Sequence, residues 1–240
     1  SASLGDLNAA ITAANNAGAD IISMSYGARE FSSENTYGSV FTRANTCYVA
    51  SSGDTAAVVE FPSCHPSVLS VGGTTLTLDV NGNRASETSW NGGGCGYSQY
   101  ISKPQYQNGI TNLVGTQRAC ADLSFVANPA TGVYVYYSGS WYGVGGTSVS
   151  APCISGFLAL CNQLRVANSK AKLSTIASSS VCFQTFCYQT ISKNPTTYAA
   201  NFYDITSGVD GNQTAGSGYD LPTGLGSPIG NQLATTISNL

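Results

Sequence analysis

The first periodic segment of the chain predicts an amphipathic helix. Between residues 6 and 17, Leu7, Ile11 and Ala14 recur at a spacing that places them on one helical face. Asp6 is expected to cap this helix and Gly18 to end it, since carboxylates accept from free amides and glycine tolerates the left-handed backbone that closes many helices.

Short apolar runs bounded by glycine and polar residues predict strands further along. These runs cover residues 19–26, 47–52, 67–78 and 133–137. The third run is followed by Asn81-Gly82, a dipeptide that favours the tight turn of a hairpin.

A second helix is predicted directly after Ser148. Its apolar positions are Ile154, Phe157, Leu158, Cys161 and Leu164. Pro152 falls in or near the first turn, where proline is tolerated best. Residues 200–228 are rich in glycine and predict loops.

Strands that alternate with helices predict an α/β fold with a mainly parallel central sheet flanked by helices, formed by residues 1–240 as a single domain. Sites in such sheets form at the carboxyl ends of strands. Asp54 follows a predicted strand and Ser148 precedes a long predicted helix. Both positions therefore suit a functional site.

Composition favours a protein that works in acid. Only 9% of residues are charged, with 9 Lys+Arg and 12 Asp+Glu. Once the carboxylates are protonated, so few positive side chains remain that self-repulsion stays small. A generic secreted protein is the plainer interpretation of the same composition. No basic patch is present, so nucleic acid is not an expected partner, and no apolar run is long enough to predict a membrane span.

The eight cysteines indicate an oxidising compartment, because their number is even and none forms a Cys-x-x-Cys pair. We therefore expect disulfides and either secretion or an acidic vacuolar or lysosomal compartment. Cys153 and Cys161 lie on one predicted helix, about 12 Å apart, which is too far for them to bond to each other.

Ser148 is the candidate nucleophile. It follows two glycines at the start of a helix, where backbone N–H groups can face developing negative charge. Serine is also a common helix cap, and for an isolated Gly-Thr-Ser triplet capping is the better explanation. A catalytic role therefore needs further support.

A serine nucleophile needs a base, and the sequence favours a carboxylate. The one histidine, His65, stands between Cys64 and Pro66, a setting more typical of a structural residue. Neither the Gly-x-Ser-x-Gly elbow of α/β-hydrolases nor the Asp-Thr-Gly or Asp-Ser-Gly triplets of pepsin-like enzymes occur. A carboxylate is a weak base that suits an acidic working pH.

An ordered set of segments resembles the sedolisin family, the serine-carboxyl peptidases. The nucleophile segment GTSVSAP at 146–152 is one of them, and ASSGD at 50–54 is another. The others are IISMSYG at 21–27, FP at 61–62, VLSVGGT at 68–74, ETSWNGGG at 87–94, NPATGV at 128–133, DITSG at 204–208 and GYDLPTGLG at 218–226.

The resemblance implies a subtilisin-like fold and an acidic endopeptidase activity. It implies Ser148 as the nucleophile and Asp54 as a donor in the oxyanion hole. A protonated aspartic acid can donate such a hydrogen bond at low pH. The plainer interpretation of Asp54 is a turn residue after Gly53.

The resemblance also implies a Ca²⁺ site in the C-terminal loops. The matching ligands are the carboxylates of Asp204 and Asp220 and the backbone carbonyls of Ile205, Gly216 and Gly218. Carboxylates and carbonyls are the hard oxygen ligands that calcium prefers. A glycine-rich turn with solvated aspartates is the alternative.

The sequence departs from the family in its catalytic base. The family uses a glutamate with an aspartate four residues later on one helix, which places both on one face. None of the four glutamates here, Glu30, Glu34, Glu60 and Glu87, has that partner, and Glu30 and Glu34 fall in a segment expected to be a surface loop. The family's Glu/Asp helix precedes the stretch that residues 1–17 match.

Three explanations follow from this departure. The chain is the product of zymogen processing just before Ser1, with a light chain that carries the Glu/Asp pair; or it is a fragment; or it is an inactive relative that binds peptides. We favour the first. Met24 is the only methionine, so Ser1 is not expected to be a translation start. A generic subtilisin-like enzyme would instead need a histidine base.

Overall fold

The computed structural model describes residues 3–240, and Ser1, with the expected cut before it, lies outside the described residues. The strands are β1 (Ile21–Met24), β2 (Ala28–Arg29), β3 (Cys47–Ser51), β4 (Glu60–Phe61), β5 (Val68–Leu78), β6 (Arg84–Ser89), β7 (Gly96–Ser102), β8 (Gln117–Cys120), β9 (Leu123–Val126), β10 (Val133–Tyr137), β11 (Ser140–Val144), β12 (Phe202–Tyr203), β13 (Val209–Asp210), β14 (Gln213–Thr214) and β15 (Ser227–Pro228).

Six α-helices accompany these strands in the described part of the chain. They are α1 (Leu4–Asn16), α2 (Glu34–Tyr37), α3 (Thr147–Ala167), α4 (Phe183–Thr185), α5 (Pro195–Asn201) and α6 (Gly230–Asn239). No helix within residues 3–240 is both long and apolar enough to cross a bilayer.

The central sheet is mainly parallel, as predicted. β1 pairs with β3, β3 with β5, and β5 with β9, all in parallel, while β6 adds an antiparallel strand to the far half of β5. β3 is buried along its whole length. Cys47 and Val49 pack into one core cluster and Tyr48 and Ala50 into a second, because successive side chains of a strand point to opposite faces.

Helix α1 forms where the periodicity predicts it, but the predicted cap is wrong. Ser3 is the N-cap, and its hydroxyl accepts a hydrogen bond from the Asp6 amide at 3.2 Å. Asp6 lies in the first turn of the helix and accepts from the Ser3 hydroxyl instead. The two hydrogen bonds between Ser3 and Asp6 resemble a capping box. The prediction chose Asp6, the polar residue nearest to the apolar face, and so overlooked Ser3.

Helix α3 carries the larger core cluster. Ile154, Leu158 and Cys161 are buried against the sheet, as predicted, whereas Leu164 is 41% exposed. The helix begins at Thr147, so Ser148 is its second residue and Pro152 lies just beyond the first turn. The predicted hairpin is also confirmed, with Gly82 at a φ of 80° between β5 and β6.

Seven of the eight cysteines are buried, and Cys153 on α3 is half-buried. No disulfide joins them within residues 3–240 in this structure. Cys161 and Cys187 pack in the same core cluster as Cys47, and Cys64 and Cys120 lie in the other. The expectation of disulfides stays a prediction.

Candidate active site

The predicted nucleophile lies exposed at the start of α3. Gly146 is the N-cap of this helix. Its φ of 91° is positive, a backbone conformation that glycine adopts more readily than other residues. The Ser148 side chain is exposed, and its hydroxyl has no hydrogen-bond partner among residues 3–240. The hydroxyl is therefore open to an incoming group but is not activated by any described side chain.

Pro152 removes a backbone hydrogen bond that the Ser148 carbonyl would otherwise accept within α3. A proline has no N–H, so the Ser148 carbonyl oxygen lacks the donor that an α-helix normally supplies four residues later. The Ser25 hydroxyl, just beyond β1, donates to that oxygen at 3.2 Å. The carboxyl end of β1 is thereby fixed to the first turn of α3.

Asp54 is bound to the residue that precedes the nucleophile. Its Oδ1 accepts from the backbone N–H of Thr147 at 2.7 Å and lies 2.7 Å from Thr147 Oγ1. Thr147 Oγ1 also lies 3.0 Å from the carbonyl oxygen of Gly53 and accepts from the Gly53 amide at 3.2 Å. Two segments 93 residues apart are therefore joined beside Ser148.

The second oxygen of Asp54 lies against Gly146. A Cβ added to Gly146 would stand 2.5 Å from Asp54 Oδ2, closer than real Cβ contacts allow. The glycine before Thr147 thus makes room for the carboxyl group. Asp54 itself is exposed, so Oδ2 can face a bound substrate.

Glu60 is a site residue that the sequence interpretation missed. Its carboxyl group lies against Gly27 and Gly53, where an added Cβ would come within 2.3 and 2.7 Å of its atoms. Burial raises the pKa of Glu60, the charge of Asp54 raises it further, and Arg29 opposes both. The signal in the sequence was its place directly before the matched Phe61-Pro62 pair.

The other glutamates lie elsewhere. Glu34 was expected on a surface loop, and this is wrong: it is fully buried, its carboxyl group close to Glu30 and Cys64. Two hydrogen bonds satisfy the buried carboxyl group, since Glu34 accepts from the Phe31 amide at 3.1 Å and from the Cys64 thiol at 3.5 Å. Glu87 is held by Thr74, Arg84 and Ser227.

His65 is remote from this site. Its ring packs on Phe41 with 5.0 Å between ring centroids, and Nδ1 accepts from the Ser67 amide at 3.1 Å. Burial, with a smaller contribution from Arg118, lowers the pKa of His65 to about 4. These contacts fit the structural role that the sequence favoured.

The candidate Ca²⁺ ligands are brought together by the C-terminal loops. The Gly218 amide donates to both carboxylate oxygens of Asp204, at 3.1 and 3.0 Å, and the Gly216 amide donates to Asp220 at 2.9 Å. Burial raises the pKa of Asp220 to about 6, and the charge of Asp204 adds to the shift. Ile205 follows Asp204 with its side chain buried.

The sequence matches known peptidases over most of its length. The model of the subtilase family (Peptidase_S8) matches residues 1–203. Sedolisin from Pseudomonas sp. (strain 101) is 36% identical over 183 residues, which cover 70% of this chain and 28% of that protein. Kumamolisin from Bacillus sp. (strain MN-32) is 33% identical over 196 residues, with 73% of this chain and 32% of that protein covered.

The chain spans about a quarter to a third of the length of these curated relatives. Among solved structures, Pseudomonas sedolisin, a serine-carboxyl proteinase complexed with two molecules of pseudo-iodotyrostatin, superposes with a TM-score of 0.83 at 29% identity. That comparison covers all of this chain and 71% of the other. A psychrophilic protease at 19% identity and a TM-score of 0.61 supports the fold alone.

Proposed function

The chain belongs to the subtilase family, and because its relatives there are sedolisins, we propose that it is the Ser148-bearing part of an acid-acting serine-carboxyl endopeptidase. One observation carries the proposal. The exposed Ser148 at the start of α3 stands directly after Thr147, whose N–H and hydroxyl group both bond to Asp54. Ser148 and the carboxyl group of Asp54 are thus held at the same edge of the sheet, where the parallel strands have their carboxyl ends.

In the proposed reaction, a carboxylate base takes the Ser148 hydroxyl proton while Oγ attacks the carbonyl carbon of the scissile peptide. The oxyanion that forms accepts a hydrogen bond from protonated Asp54 through Oδ2, since Oδ1 is already occupied by Thr147. The base then gives its proton to the leaving amine, and the acyl group stays on Ser148. Water attacks this ester, with the base taking the water's proton and returning it to Oγ.

The requirement for a protonated aspartic acid restricts the enzyme to acid. Only the protonated form of Asp54 has a hydrogen to donate, and carboxyl groups carry that hydrogen mainly at low pH. The base must be ionised under the same conditions. The two needs together predict a narrow acidic pH range, which fits secretion or an acidic vacuolar or lysosomal compartment.

The base is proposed to come from outside these 240 residues. The Ser148 hydroxyl has no partner in residues 3–240, so Glu60 does not bond to it although its carboxyl group lies against Gly53. The other glutamates, Glu30, Glu34 and Glu87, are engaged in other contacts. A separate light chain with a Glu-x-x-x-Asp pair, or a further segment of the same polypeptide, would supply it. If neither exists, a peptide-binding relative without catalysis is the alternative.

We also propose that Asp204 and Asp220, with the carbonyls of Ile205, Gly216 and Gly218, hold Ca²⁺. The two carboxyl groups repel each other in a partly buried loop, and no lysine or arginine within residues 3–240 forms an ion pair with either. A dication would relieve that repulsion with oxygen ligands alone. Its contribution is to fix the loops that follow β12, and it takes no part in the reaction.

Peptide cleavage between pH 3 and 5 tests the function. The mature protein and its Ser148→Ala variant are compared on an unstructured protein substrate. The variant should lose at least about 10³-fold in kcat/KM, because loss of a serine nucleophile leaves only residual transition-state stabilisation. Ser39→Ala, at an exposed serine far from the site, is the matched control. Equal cleavage by wild type and Ser148→Ala would refute the assignment.

A further inference from the structure

The hairpin of β10 and β11 is an uncharged ribbon that is exposed on both faces. The two strands pair with each other along their whole length and with no other strand within residues 3–240. No charged residue occurs between Gly132 and Thr147. Exposed strands of soluble proteins usually carry charges that prevent contact, and contiguous exposed apolar surface usually marks a binding site. The ribbon therefore has the composition of a binding surface.

One face of the ribbon carries three aromatic rings. Residues directly opposite each other in an antiparallel pair share a face. Tyr136 lies opposite Trp141, and their rings are in contact with 5.2 Å between centroids. Tyr134, two residues before Tyr136 on the same face, lies opposite Gly143. The side chains of Tyr134, Tyr136 and Trp141 are 78%, 60% and 68% exposed, so the face is free to contact another molecule.

Gly143 leaves an open position in this aromatic face. A Cβ added to Gly143 would meet no atom within 4 Å, so the ring of Tyr134 does not lie over the glycine. Trp141, two residues before it on the same face, borders the open position about 7 Å along the strand. The result is a notch one residue wide with an aromatic side chain on two sides. We call Tyr134, Trp141 and Gly143 the aromatic notch; residues 138–139, at the tip of the ribbon, lie beyond it.

The base of the ribbon is fixed beside the candidate active site. β11 ends at Val144, and the Gly146 amide just after it donates to the carbonyl of Ala127 at 2.6 Å, directly after β9. Gly143 precedes Ser148 by five residues. An extended chain advances at most about 3.6 Å per residue, so the aromatic notch lies no more than about 18 Å from the nucleophile along the backbone. A substrate bound at Ser148 therefore reaches the notch.

We propose that the aromatic notch is a substrate subsite, which takes one apolar side chain of the substrate polypeptide at a distance from the scissile bond. An extended peptide advances about 3.4 Å per residue, so the bound side chain belongs to a residue within about five positions of that bond. The role as a subsite rests on the proposed function. The binding of an apolar peptide side chain does not, so the two can be tested apart.

The chemistry of the notch suits a substrate that is bound in acid. Between pH 3 and 5 aspartate and glutamate change their charge, so recognition through ion pairs would vary with the pH. Phenol and indole rings keep the same charge throughout that range and bind by burying their area. Tyrosine and tryptophan also lose little side-chain entropy when they are held. Apolar recognition at Tyr134 and Trp141 is therefore independent of the pH at which the peptidase is expected to work.

A phenylalanine scan of the substrate tests the subsite. The starting peptide is cleaved by the mature protein at one bond and carries serine and alanine at the flanking positions on both sides. A single phenylalanine is then placed at each position from two to seven residues away, on either side of the bond. One position on one side should raise kcat/KM about tenfold, because most of an aromatic side chain leaves water there. A flat scan, or an equal rise with lysine or glutamate at that position, would refute an apolar subsite.

Gly143→Val fills the notch without a clash. The position is open and its φ lies outside the left-handed region, so the variant should melt no lower than the wild type. The ratio of kcat/KM between the phenylalanine peptide and its serine counterpart should fall from about ten to about one. Ser140→Val adds the same side chain to the same strand on the opposite face and should keep the wild-type ratio. Equal ratios in the two variants would overturn the assignment to Gly143.

Binding is measured apart from cleavage in the Ser148→Ala variant. The chain has two tryptophans, Trp90 and Trp141. The phenylalanine peptide should move the emission of Trp141 to shorter wavelength, and an added Trp141→Phe substitution should abolish that change.

The two readouts separate the notch from the proposed function. An emission change in a protein whose wild type cleaves no peptide would support the aromatic notch and refute the peptidase. Cleavage that depends on Ser148, with a flat scan and no emission change, would refute the notch alone. An emission change that follows protein concentration without peptide would overturn the notch as a subsite and assign it to contacts between copies of this chain.

Discussion

The hydroxyl group of Ser25 donates a hydrogen bond of 3.2 Å to the carbonyl oxygen of Ser148. This bond compensates for Pro152, which cannot donate to that oxygen. The bond thereby fixes the carboxyl end of β1 to the first turn of α3, 123 residues later in the sequence. The position of the candidate nucleophile depends on this contact as well as on the helix that carries it.

Ser25→Ala should weaken catalysis without unfolding the protein. Loss of one partly exposed hydrogen bond costs about 1 kcal/mol, and a less fixed Ser148 should lower kcat by roughly twofold to tenfold. The measurement is kcat and Tm side by side. Ser39→Ala removes a comparable exposed hydroxyl-to-carbonyl bond, to Thr36 at 2.8 Å, and should leave kcat unchanged. An equal fall in kcat for both would refute a specific role for Ser25.

Gly146→Ala should disturb Asp54 directly. The new Cβ would stand 2.5 Å from Asp54 Oδ2, so the carboxyl group must move away from the position proposed for the oxyanion donor. We expect kcat/KM to fall by about 10²-fold or more, the usual effect of losing one such donor.

Gly139→Ala is the matched control for that substitution. Gly139 has a similar φ of 85°, yet an added Cβ meets nothing within 4 Å. Both variants carry the backbone strain of a positive φ, of the order of 1–3 kcal/mol, but only one displaces Asp54. Peptide cleavage is measured at the same fraction of folded protein for both variants, which separates the displacement of Asp54 from the loss of stability. Similar activity in both variants would contradict the role of Asp54.

Stability should fall as the pH rises past the titration of Asp210. This residue is fully buried, neither of its carboxyl oxygens has a hydrogen-bond partner within residues 3–240, and burial raises its pKa from 3.8 to about 6. Because the folded carboxyl group holds its proton more tightly than the unfolded one, its stabilising effect is complete below about pH 4. The effect is lost as the pH rises through about 6.

Asp210→Asn mimics the protonated side chain and should remove this part of the pH dependence. Urea unfolding at pH 3.5 and pH 7 is the measurement. The two proteins should agree at pH 3.5, and the variant should be more stable by roughly 2 kcal/mol at pH 7. A variant that keeps the wild-type pH dependence would show that another group is responsible.

Removal of Ca²⁺ should lower the melting temperature. A ligand present at about 100 times its Kd stabilises by roughly 2.7 kcal/mol, which corresponds to about 5–10 °C in a domain of this size. The fall should appear with a chelator and reverse when calcium is restored. Asp220→Asn should melt low from the start and respond little to the chelator. The site would be refuted if a chelator leaves the melting temperature of the wild type unchanged and elemental analysis finds no calcium.

The sequence by itself determined the main elements and the class of fold. Residues 47–52 were predicted as a strand from a short apolar run bounded by polar residues and glycine, and the helix after Ser148 was predicted from Ile154, Leu158 and Cys161. The ordered segments around Ser148 and Asp54 indicated the family. These features are local, so they can be detected in a linear pattern of residue types.

Only the tertiary structure decided which residues meet. Sequence separation carries no information about the bond from Thr147 to Asp54, or about the carboxyl group of Glu60 against Gly53. The burial of Glu34 was predicted wrongly for the same reason, because the thiol that donates to it belongs to Cys64, 30 residues away in the sequence. Desolvation and hydrogen bonding depend on neighbours in space, and the topology of the sheet brought those neighbours together.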